Sequence, residues 1–254
     1  MSISICAVVP TYNHDQVLPR VVSALRERGL PIVIVDDGST SPASENIARL
    51  RDPDADIVVE RLPVNLGKGG AVMHGLRWAA DAGYTHVVQV DADGQHDLAV
   101  LDTLLGMAAD YPDDLISGHP QYDETMPTGR RIGRQITHFW VCVETMRTRA
   151  VDTMCGFRVY PLAATLPIID GRQLGRRMDF DIEIMVRMIW AGVHIRPVPV
   201  RVVYPAGNTS NFAMLRDNVR ISWMHTKLVV EGLLRLPLTL LRSGRRNGGQ
   251  RTAR

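Results

Sequence analysis

The chain has 254 residues, 45% of them hydrophobic and 22% charged, which suits a single globular α/β domain. Its 29 basic and 27 acidic residues give a net charge of +2, a balance that does not favour nucleic acid as a partner. The three cysteines have neither CxxC nor Cys/His spacing, so they indicate no disulfide framework or zinc site and favour a reduced, cytosolic compartment. No segment approaches the ~20 uninterrupted apolar residues that a membrane span needs.

In the first half of the chain, short β-branched runs alternate with helical stretches, which is typical of βαβ units around a parallel sheet. The first run begins near the N-terminus without a basic leader, so we expect a strand there and not a targeting signal. The predicted strands are 3–9, 32–36, 57–62 and 86–91, and the predicted helices are 16–28, 44–51 and 69–82. Ligands of such sheets bind at the carboxyl ends of the strands, where the polar motifs of this sequence fall.

The second half is less regular but contains no internal repeat or low-complexity linker. Its predicted helices are 98–109, 132–149, 179–191 and 211–234, and its predicted strands are 115–119 and 195–203. Prolines in the last strand favour a position at the edge of the sheet. We therefore predict one domain over 1–210, an amphipathic helical extension over 211–241 and a basic, disordered tail over 242–254.

The strongest chemical signal is the apolar run that ends in Asp91-Ala-Asp93, followed by Gln95. Side chains one residue apart in a strand share a face, so both carboxylates are expected to point toward one hard cation. Mg²⁺ or Mn²⁺ held there would neutralise a diphosphate and polarise it as a leaving group. Alternatively, the two acids form a turn after the strand, since Asp-x-Asp is common by chance.

Two further polar segments follow neighbouring strands. Asp36 and Asp37, with the Gly-Ser that follows, place carboxylates where a base and ribose can be hydrogen-bonded, although such a segment also suits a tight turn. A glycine-rich loop from Asn65 to Ala71 carries Lys68 and opens a helix, whose N-terminus can receive a phosphate. This loop matches neither the Walker pattern nor the dinucleotide GxGxxG pattern.

Together these segments carry a family resemblance. Residues 10–13 (Pro-Thr-Tyr-Asn), 35–39 (Val-Asp-Asp-Gly-Ser), 65–69 (Asn-Leu-Gly-Lys-Gly) and 91–96 (Asp-Ala-Asp-Gly-Gln-His) resemble the family 2 inverting glycosyltransferases, in order and spacing. The greatest similarity is to the dolichol-phosphate and polyprenyl-phosphate sugar synthases. The resemblance implies a GT-A fold, with a Rossmann-like, mostly parallel sheet flanked by helices. It implies a metal site at Asp91, Asp93 and Gln95, and a nucleotide-sugar site at Pro10, Tyr12, Asn13, Asp36, Asp37, Asn65, Lys68 and Asp91.

The resemblance continues more weakly into the second half. Residues 152–158 resemble the Asp-x-x-x-Gly-Phe-Arg segment of those synthases, so Arg158 is expected to act in catalysis and acceptor binding. Arg130, Arg131 and Arg134 match part of an arginine cluster that serves the acceptor phosphate, a role that suits the planar guanidinium. As alternatives, these arginines form a solvated helix face and Arg158 joins a structural ion pair. At two positions where those synthases have an arginine, this sequence has His119 and Tyr204 instead.

A second acidic group, at residues 179–183, raises the question of the acceptor. In family members that glycosylate a hydroxyl, an acid near this point is the general base, and Asp181 is the candidate here. A phosphate acceptor is already ionised and needs no base. The acids also suit a helix start, because negative charge is favourable at that end.

The C-terminal segment bears on location. Apolar residues recur at near-helical spacing over 212–234, with Arg216, Arg220, Lys227 and Arg235 among them. Such a basic amphipathic helix can lie on an anionic membrane, although it can equally pack its apolar face on the sheet.

The sequence thus predicts a peripheral enzyme on the inner face of the cell membrane, which moves a sugar from a UDP- or GDP-sugar to a lipid-linked acceptor. Transfer to a hydroxyl with Asp181 as base, and an inactive nucleotide-sugar-binding scaffold, are the two alternatives.

Overall fold

A computed structural model describes residues 3–121, 128–146, 151–202 and 214–248, of which 128, 130, 214 and 236–248 are described by their backbone only. These residues form a seven-stranded sheet covered by helices on both faces. The strands are β1 (Ile5–Thr11), β2 (Ile32–Asp36), β3 (Ile57–Arg61), β4 (His86–Gln89), β5 (Leu115–Gln121), β6 (Arg158–Pro161) and β7 (Ile195–Arg201). The helices are α1 (Leu18–Arg26), α2 (Ala43–Ala48), α3 (Lys68–Asp81), α4 (Leu101–Asp110), α5 (Thr128–Thr145), α6 (Leu162–Asp170), α7 (Phe180–Trp190) and α8 (Met214–Gly248).

The first four strands form the parallel part of the sheet. The strand order is β3-β2-β1-β4-β6-β5-β7, and β1 pairs in parallel with both β2 and β4. β7 pairs in parallel with β5 and lies at the edge, as its prolines predicted. The prediction of a mostly parallel α/β sheet is therefore confirmed.

Alternate residues of the central strands supply two apolar layers, because successive side chains of a strand point to opposite faces. One layer packs with α1 and α4, and it includes Ala7, Val9, Ile32, Ile34 and Val88. The other packs with α3, α6 and α7, and it includes Cys6, Val8, Val33, Val35 and Val87. Burial on both faces explains why these strands are continuous apolar runs in the sequence.

The sequence did not predict β6 or α6. β6 has only four residues, yet it lies between β4 and β5 and pairs antiparallel with both. Its first residue is a fully buried arginine, Arg158, which hides the strand from a search for apolar runs. Insertion of β6 joins the parallel half of the sheet to the β5–β7 pair.

A third, smaller apolar cluster joins α5, α7 and α8 through Val141, Ile182, Val186, Met224 and Leu228. α8 therefore packs on the domain along one side. It continues to Gly248, past the predicted boundary at 241. The remaining tail, 249–254, lies outside the described residues. Within the described residues, no helix has the length and apolar character that a membrane crossing requires.

Candidate active site

The carboxyl ends of β1, β2 and β4 bring three of the sequence motifs to one edge of the sheet. Thr11 at the end of β1 lies opposite Asp36 at the end of β2, and Val8 lies opposite Gln89 at the end of β4. Pro10 is buried within β1, and Tyr12 follows the strand and is partly exposed. This edge is where open α/β sheets bind ligands.

Asp36 and Asp37 organise the loops at this edge. Asp36 accepts a hydrogen bond from the Ser39 amide (2.9 Å), and Asp37 accepts from the amides of Leu66 (2.7 Å) and Gly67 (2.8 Å). Burial raises the pKa of Asp37, although the two amides oppose that rise. Both carboxylates are almost fully buried, so they shape the predicted nucleoside site through the loops that they hold.

Asn13 and Asn65 lie in those loops. Asn13 has a positive φ of 57°, its amide donates to the Ser39 hydroxyl, and its side-chain oxygen accepts from the Thr40 amide. The side-chain oxygen of Asn65 is buried, and no described residue donates a hydrogen bond to it. A buried acceptor without a donor is costly, which marks Asn65 as a residue with capacity for a ligand.

Lys68 lies at the centre of the site, between two carboxylates. Its Nζ is 2.9 Å from Oδ2 of Asp91 and 2.8 Å from Oδ2 of Asp181. Burial alone would lower the pKa of Lys68, but the charges of Asp181 and Asp91 outweigh it and raise the pKa. Lys68 therefore remains a cation and joins the Asp-x-Asp segment to the start of α7.

Glycines allow this close approach. A Cβ on Gly69 would lie 2.3 Å from Cβ of Phe180, so the N-termini of α3 and α7 can meet only because that atom is missing. A Cβ on Gly156 would lie 2.6 Å from Lys68 Nζ and 2.9 Å from Asp91 Oδ2. Gly69 thus permits the packing of α3 on α7, and Gly156 leaves room for the side chains of Lys68 and Asp91.

Asp91 and Asp93 lie in a turn and not in the strand, because β4 ends at Gln89. The argument from side-chain alternation is therefore wrong, although the charge of Asp91 still acts on Asp93. Burial would raise the pKa of Asp91, but Lys68 holds it below its usual value; burial and the Asp91 charge raise the pKa of Asp93. Asp93 accepts from the Gln95 amide (3.0 Å), and metal ligation by the Gln95 side chain stays a prediction.

Arg158 is fully buried. Its guanidinium donates to the backbone oxygens of Asp181 and Thr153, both at 2.8 Å, and to the Tyr160 hydroxyl at 3.2 Å. Its terminal nitrogens are thus engaged inside the protein, and the acceptor contact expected for Arg158 stays a prediction. It acts here as a positioning residue for the start of α7.

The remaining arginines of the predicted acceptor cluster belong to α5. Arg134 forms an ion pair with Asp152, which caps the amides of residues 154 and 155, so it anchors α5 to the domain. Arg131 lies exposed on α5. The side chain of Arg130, and Tyr204 with the segment that follows it, lie outside the described residues.

Comparison with known proteins settles the family. The model of glycosyl transferase family 2 matches residues 6–166, more than half of the chain. The chain belongs to this family. It is thus a glycosyltransferase, and the interpretation as an inactive binding scaffold is set aside.

Relatives of this family 2 glycosyltransferase include two bacterial enzymes. It is 27% identical over 207 residues to an undecaprenyl-phosphate mannosyltransferase of Micrococcus luteus, covering 78% of this chain and 83% of the relative. It is 36% identical over 116 residues to a polyprenol monophosphomannose synthase of Mycolicibacterium smegmatis, covering 44% and 43% of the two chains.

Among solved structures, the fold resembles glucosyl-3-phosphoglycerate synthase from Mycobacterium tuberculosis, in complex with Mn²⁺ and UDP-glucose. The TM-score is 0.66 at 15% identity, over 91% of this chain and 79% of that chain. The resemblance confirms the predicted GT-A fold.

The structure places one further pair of contacting residues, His96 and Cys155, near the glycosyltransferase site, and the sequence had assigned them no role. His96 Nε2 lies 3.6 Å from Cys155 Sγ, and its ring stacks on Phe157 at 5.4 Å. Burial lowers the pKa of His96, but Cys155, Asp91 and Asp93 outweigh this and raise it to about 9. His96 follows the Asp-x-Asp segment directly, and that adjacency was the available signal.

Proposed function

We propose that this glycosyltransferase moves a sugar, with inversion, from a nucleoside diphosphate sugar to the phosphate of a lipid-linked acceptor. The observation that carries the proposal is the Lys68 cation between Asp91 and Asp181, at the edge of the sheet where the family motifs converge. The M. luteus relative, which the chain matches over most of its length, supports a phosphate-bearing polyprenyl acceptor.

The donor's nucleoside would lie at the ends of β1 and β2. Tyr12 is partly exposed there, and the Asn65 side-chain oxygen lacks a hydrogen-bond donor within the described part of the chain. A ribose hydroxyl or a base N–H would satisfy that oxygen. The diphosphate would then extend toward Lys68 and the N-terminus of α3, which both favour negative charge.

The residues present fit a divalent cation. The described residues contain no group of three or more His, Cys, Asp or Glu side chains that would form a complete metal cage. Asp91 and Asp93 supply two carboxylates, and Mg²⁺ in particular is commonly held by one or two carboxylates together with substrate phosphates. When bound, such a cation would neutralise the charge that develops on the departing diphosphate.

The acceptor phosphate would attack directly. One of its oxygens forms a bond to the anomeric carbon while the bond from that carbon to the diphosphate breaks, and the diphosphate leaves with the electron pair. No proton has to be removed, because the acceptor phosphate is already ionised. Lys68 can then remain a cation throughout the transfer and stabilise charge on the donor side.

Transfer to a hydroxyl acceptor is the second candidate, and one observation favours it. Oδ1 of Asp181 is buried, and no residue of the described ranges donates a hydrogen bond to it, so that oxygen is available to take a proton. Asp181→Asn would then abolish transfer. With a phosphate acceptor, the same variant would retain turnover at a reduced rate, because Asn still accepts a hydrogen bond from Lys68.

Peripheral attachment to the inner face of the cell membrane follows from the same proposal. α8 buries Met224 and Leu228 but leaves Val230, Leu233 and Leu234 exposed, and α5 leaves Ile136 and Phe139 exposed. Packing on the domain and binding to a membrane, the two predicted alternatives for α8, are therefore compatible. One side of the helix packs on the domain, and the other side leaves apolar residues exposed. We expect Phe139→Ser/Leu234→Ser to float less with anionic liposomes than the wild type.

Donor binding and turnover test the main proposal. We expect Asp91→Asn and Asp93→Asn to lose Mn²⁺-dependent binding of the nucleotide sugar and at least 100-fold in turnover while remaining folded, a loss in the range reported for single charge-stabilising groups. Asp102→Asn, on the exposed surface of α4, is the matched control and should retain both. Full activity in both site variants would refute the assignment of these carboxylates.

A further inference from the structure

A basic cavity lies beside the active site, between residues 176–179 and α8. Its volume is about 270 Å³. It is lined by Leu66, Arg176, Arg177, Asp179, Arg220, Trp223, Met224 and Lys227. Four of these side chains are cations and one is an acid, so the cavity carries an excess of positive charge.

These cations are only partly neutralised inside the protein, where the charge of Arg177 acts on Asp37 and lowers its pKa. Within the described ranges, no carboxylate lies within ion-pair distance of Arg176, Arg177 or Lys227. Arg220 lies 3.6 Å from Asp217, but its buried Nη1 has no hydrogen-bond acceptor among the described residues. The lining acid, Asp179, already accepts from the Arg177 amide at 3.0 Å. The cavity is therefore built to receive an anion.

A shallow, open groove continues from this cavity along α8 and is lined, among the described residues, by this helix alone. Its apolar residues, Leu215, Val219 and Trp223, lie at successive turns, and Asn218, Ser222 and Thr226 lie beside them. These three side chains are between 62% and 82% exposed, although they are large and apolar. Trp223 lines both the groove and the cavity, so the apolar surface begins where the basic surface ends.

The cavity is also next to the reacting groups. Two of its lining residues lie close in sequence to the central ion pair: Leu66 is two residues before Lys68, and Asp179 is two residues before Asp181. A Cβ on Gly67 would lie 2.5 Å from Cγ of Arg177, so the cavity wall packs directly on the loop that holds Lys68. A group bound in the cavity would lie beside the donor site.

We propose that the basic cavity and the groove on α8 together form the acceptor site, with the phosphate in the cavity and the apolar chain in the groove. This inference rests on the proposed function, and it moves the acceptor phosphate from the arginines of α5 to Arg176, Arg177, Arg220 and Lys227. A phosphate monoester on a long apolar chain matches both halves of the site. A free anion would match only the cavity, and a neutral lipid only the groove.

Binding of soluble probes to the full chain tests the two halves separately. Farnesyl phosphate should bind more tightly than farnesol, and inorganic phosphate should displace it only weakly. Lys227→Gln should weaken farnesyl phosphate binding about tenfold, the usual effect of one charge-assisted hydrogen bond. Arg216→Gln removes one cation from an exposed position of the same helix, outside the cavity, and should change binding less than twofold.

A second variant keeps the proposal testable if Lys227→Gln fails to fold. Val219→Ser should weaken farnesyl phosphate binding severalfold while leaving the affinity for inorganic phosphate unchanged, because Val219 lines the groove and not the cavity. Equal losses in Lys227→Gln and Arg216→Gln would overturn the site. If phosphatidylglycerol vesicles displace bound farnesyl phosphate as effectively as an excess of unlabelled farnesyl phosphate does, that result would assign the cavity to bulk lipid headgroups and overturn the acceptor assignment.

Turnover with undecaprenyl phosphate separates this inference from the proposed function. If the wild type transfers sugar and Lys227→Gln leaves the acceptor KM unchanged, the site is wrong and the function stands. If the wild type binds the lipid phosphate through Lys227 but transfers no sugar to it, the function is wrong and the binding site stands.

Discussion

Replacement of Lys68 by methionine tests the organisation of the active site most directly. Lys68→Met keeps an unbranched side chain, slightly shorter than that of lysine, and removes the cation that lies 2.9 Å from Asp91 and 2.8 Å from Asp181. The side chains of Lys68 and Asp91 are 17% exposed, and that of Asp181 is 4% exposed. The variant therefore leaves two poorly solvated carboxylates close together without their counter-charge.

The expected loss of stability is large. Removal of one partner from a buried ion pair costs about 3–5 kcal/mol, because the remaining charge stays buried without a partner. Partial exposure of Lys68 and Asp91 lowers this, so we expect about 2–4 kcal/mol from the free energy of unfolding. At about 2–4 °C per kcal/mol for a chain of this size, Tm would fall by roughly 5–15 °C.

The assay is urea unfolding and thermal denaturation in EDTA, with Lys227→Met as the matched control. Lys227 is the only other lysine in the sequence and is exposed on α8, so its replacement should cost less than about 1 kcal/mol. Mn²⁺ should raise the Tm of Lys68→Met more than that of the wild type, because it would replace the lost cation. Equal stability of the two lysine variants in EDTA would refute the role given to Lys68.

Three further outcomes are expected. Gly156→Ala should lower kcat while the chain stays folded, because its Cβ would meet Lys68 Nζ at 2.6 Å. The control is Gly106→Ala in α4, where no atom lies within 4 Å of the added Cβ, and it should stabilise the fold by about 0.5–1 kcal/mol. Steady-state kinetics and unfolding curves distinguish the two variants. Asp181→Asn should spare transfer to a lipid phosphate, and complete loss of that activity with the fold retained would favour the hydroxyl acceptor. Burial would raise the pKa of Glu231, but three arginines hold it below the ordinary value of about 4.3, so its contribution to stability is present above that pH and is lost as the pH falls through the lowered pKa. The stability difference between wild type and Glu231→Gln should therefore shrink on acidification from pH 6 to pH 3, and a constant difference in denaturation curves would contradict this reasoning.

The parallel half of the sheet could be predicted from the sequence because its signals are local. β2 is an uninterrupted apolar run between turn residues, and its predicted bounds are those of the structure. The Asp-x-Asp segment was also placed correctly at the end of β4, although its turn geometry was not, because the strand ends two residues earlier than predicted.

The second half of the site depends on contacts between distant parts of the chain. Nothing near Lys68 in the sequence shows that its ammonium meets Asp181, since this contact requires α3 and α7 to approach at Gly69. Nor does the sequence reveal that Arg158 is buried, because an arginine in a family motif suggests a ligand contact until the backbone oxygens around it are seen. The sequence did not predict the basic cavity for the same reason, because its cations come from separate segments of the chain.

The hydrogen-bonded path through β6 has a consequence for synthesis of the chain on the ribosome. Gln89 in β4 accepts from the Tyr160 hydroxyl, Tyr160 accepts from Arg158, and Arg158 donates to the backbone of Asp181. The N-terminal half emerges first with its nucleotide motifs complete, yet Lys68 lacks one of its two carboxylates until α7 has been made and docked. A nascent chain that ends before α7 would carry the donor motifs without the ion pair between Lys68 and Asp181, so most of the chain must be translated before that contact can form.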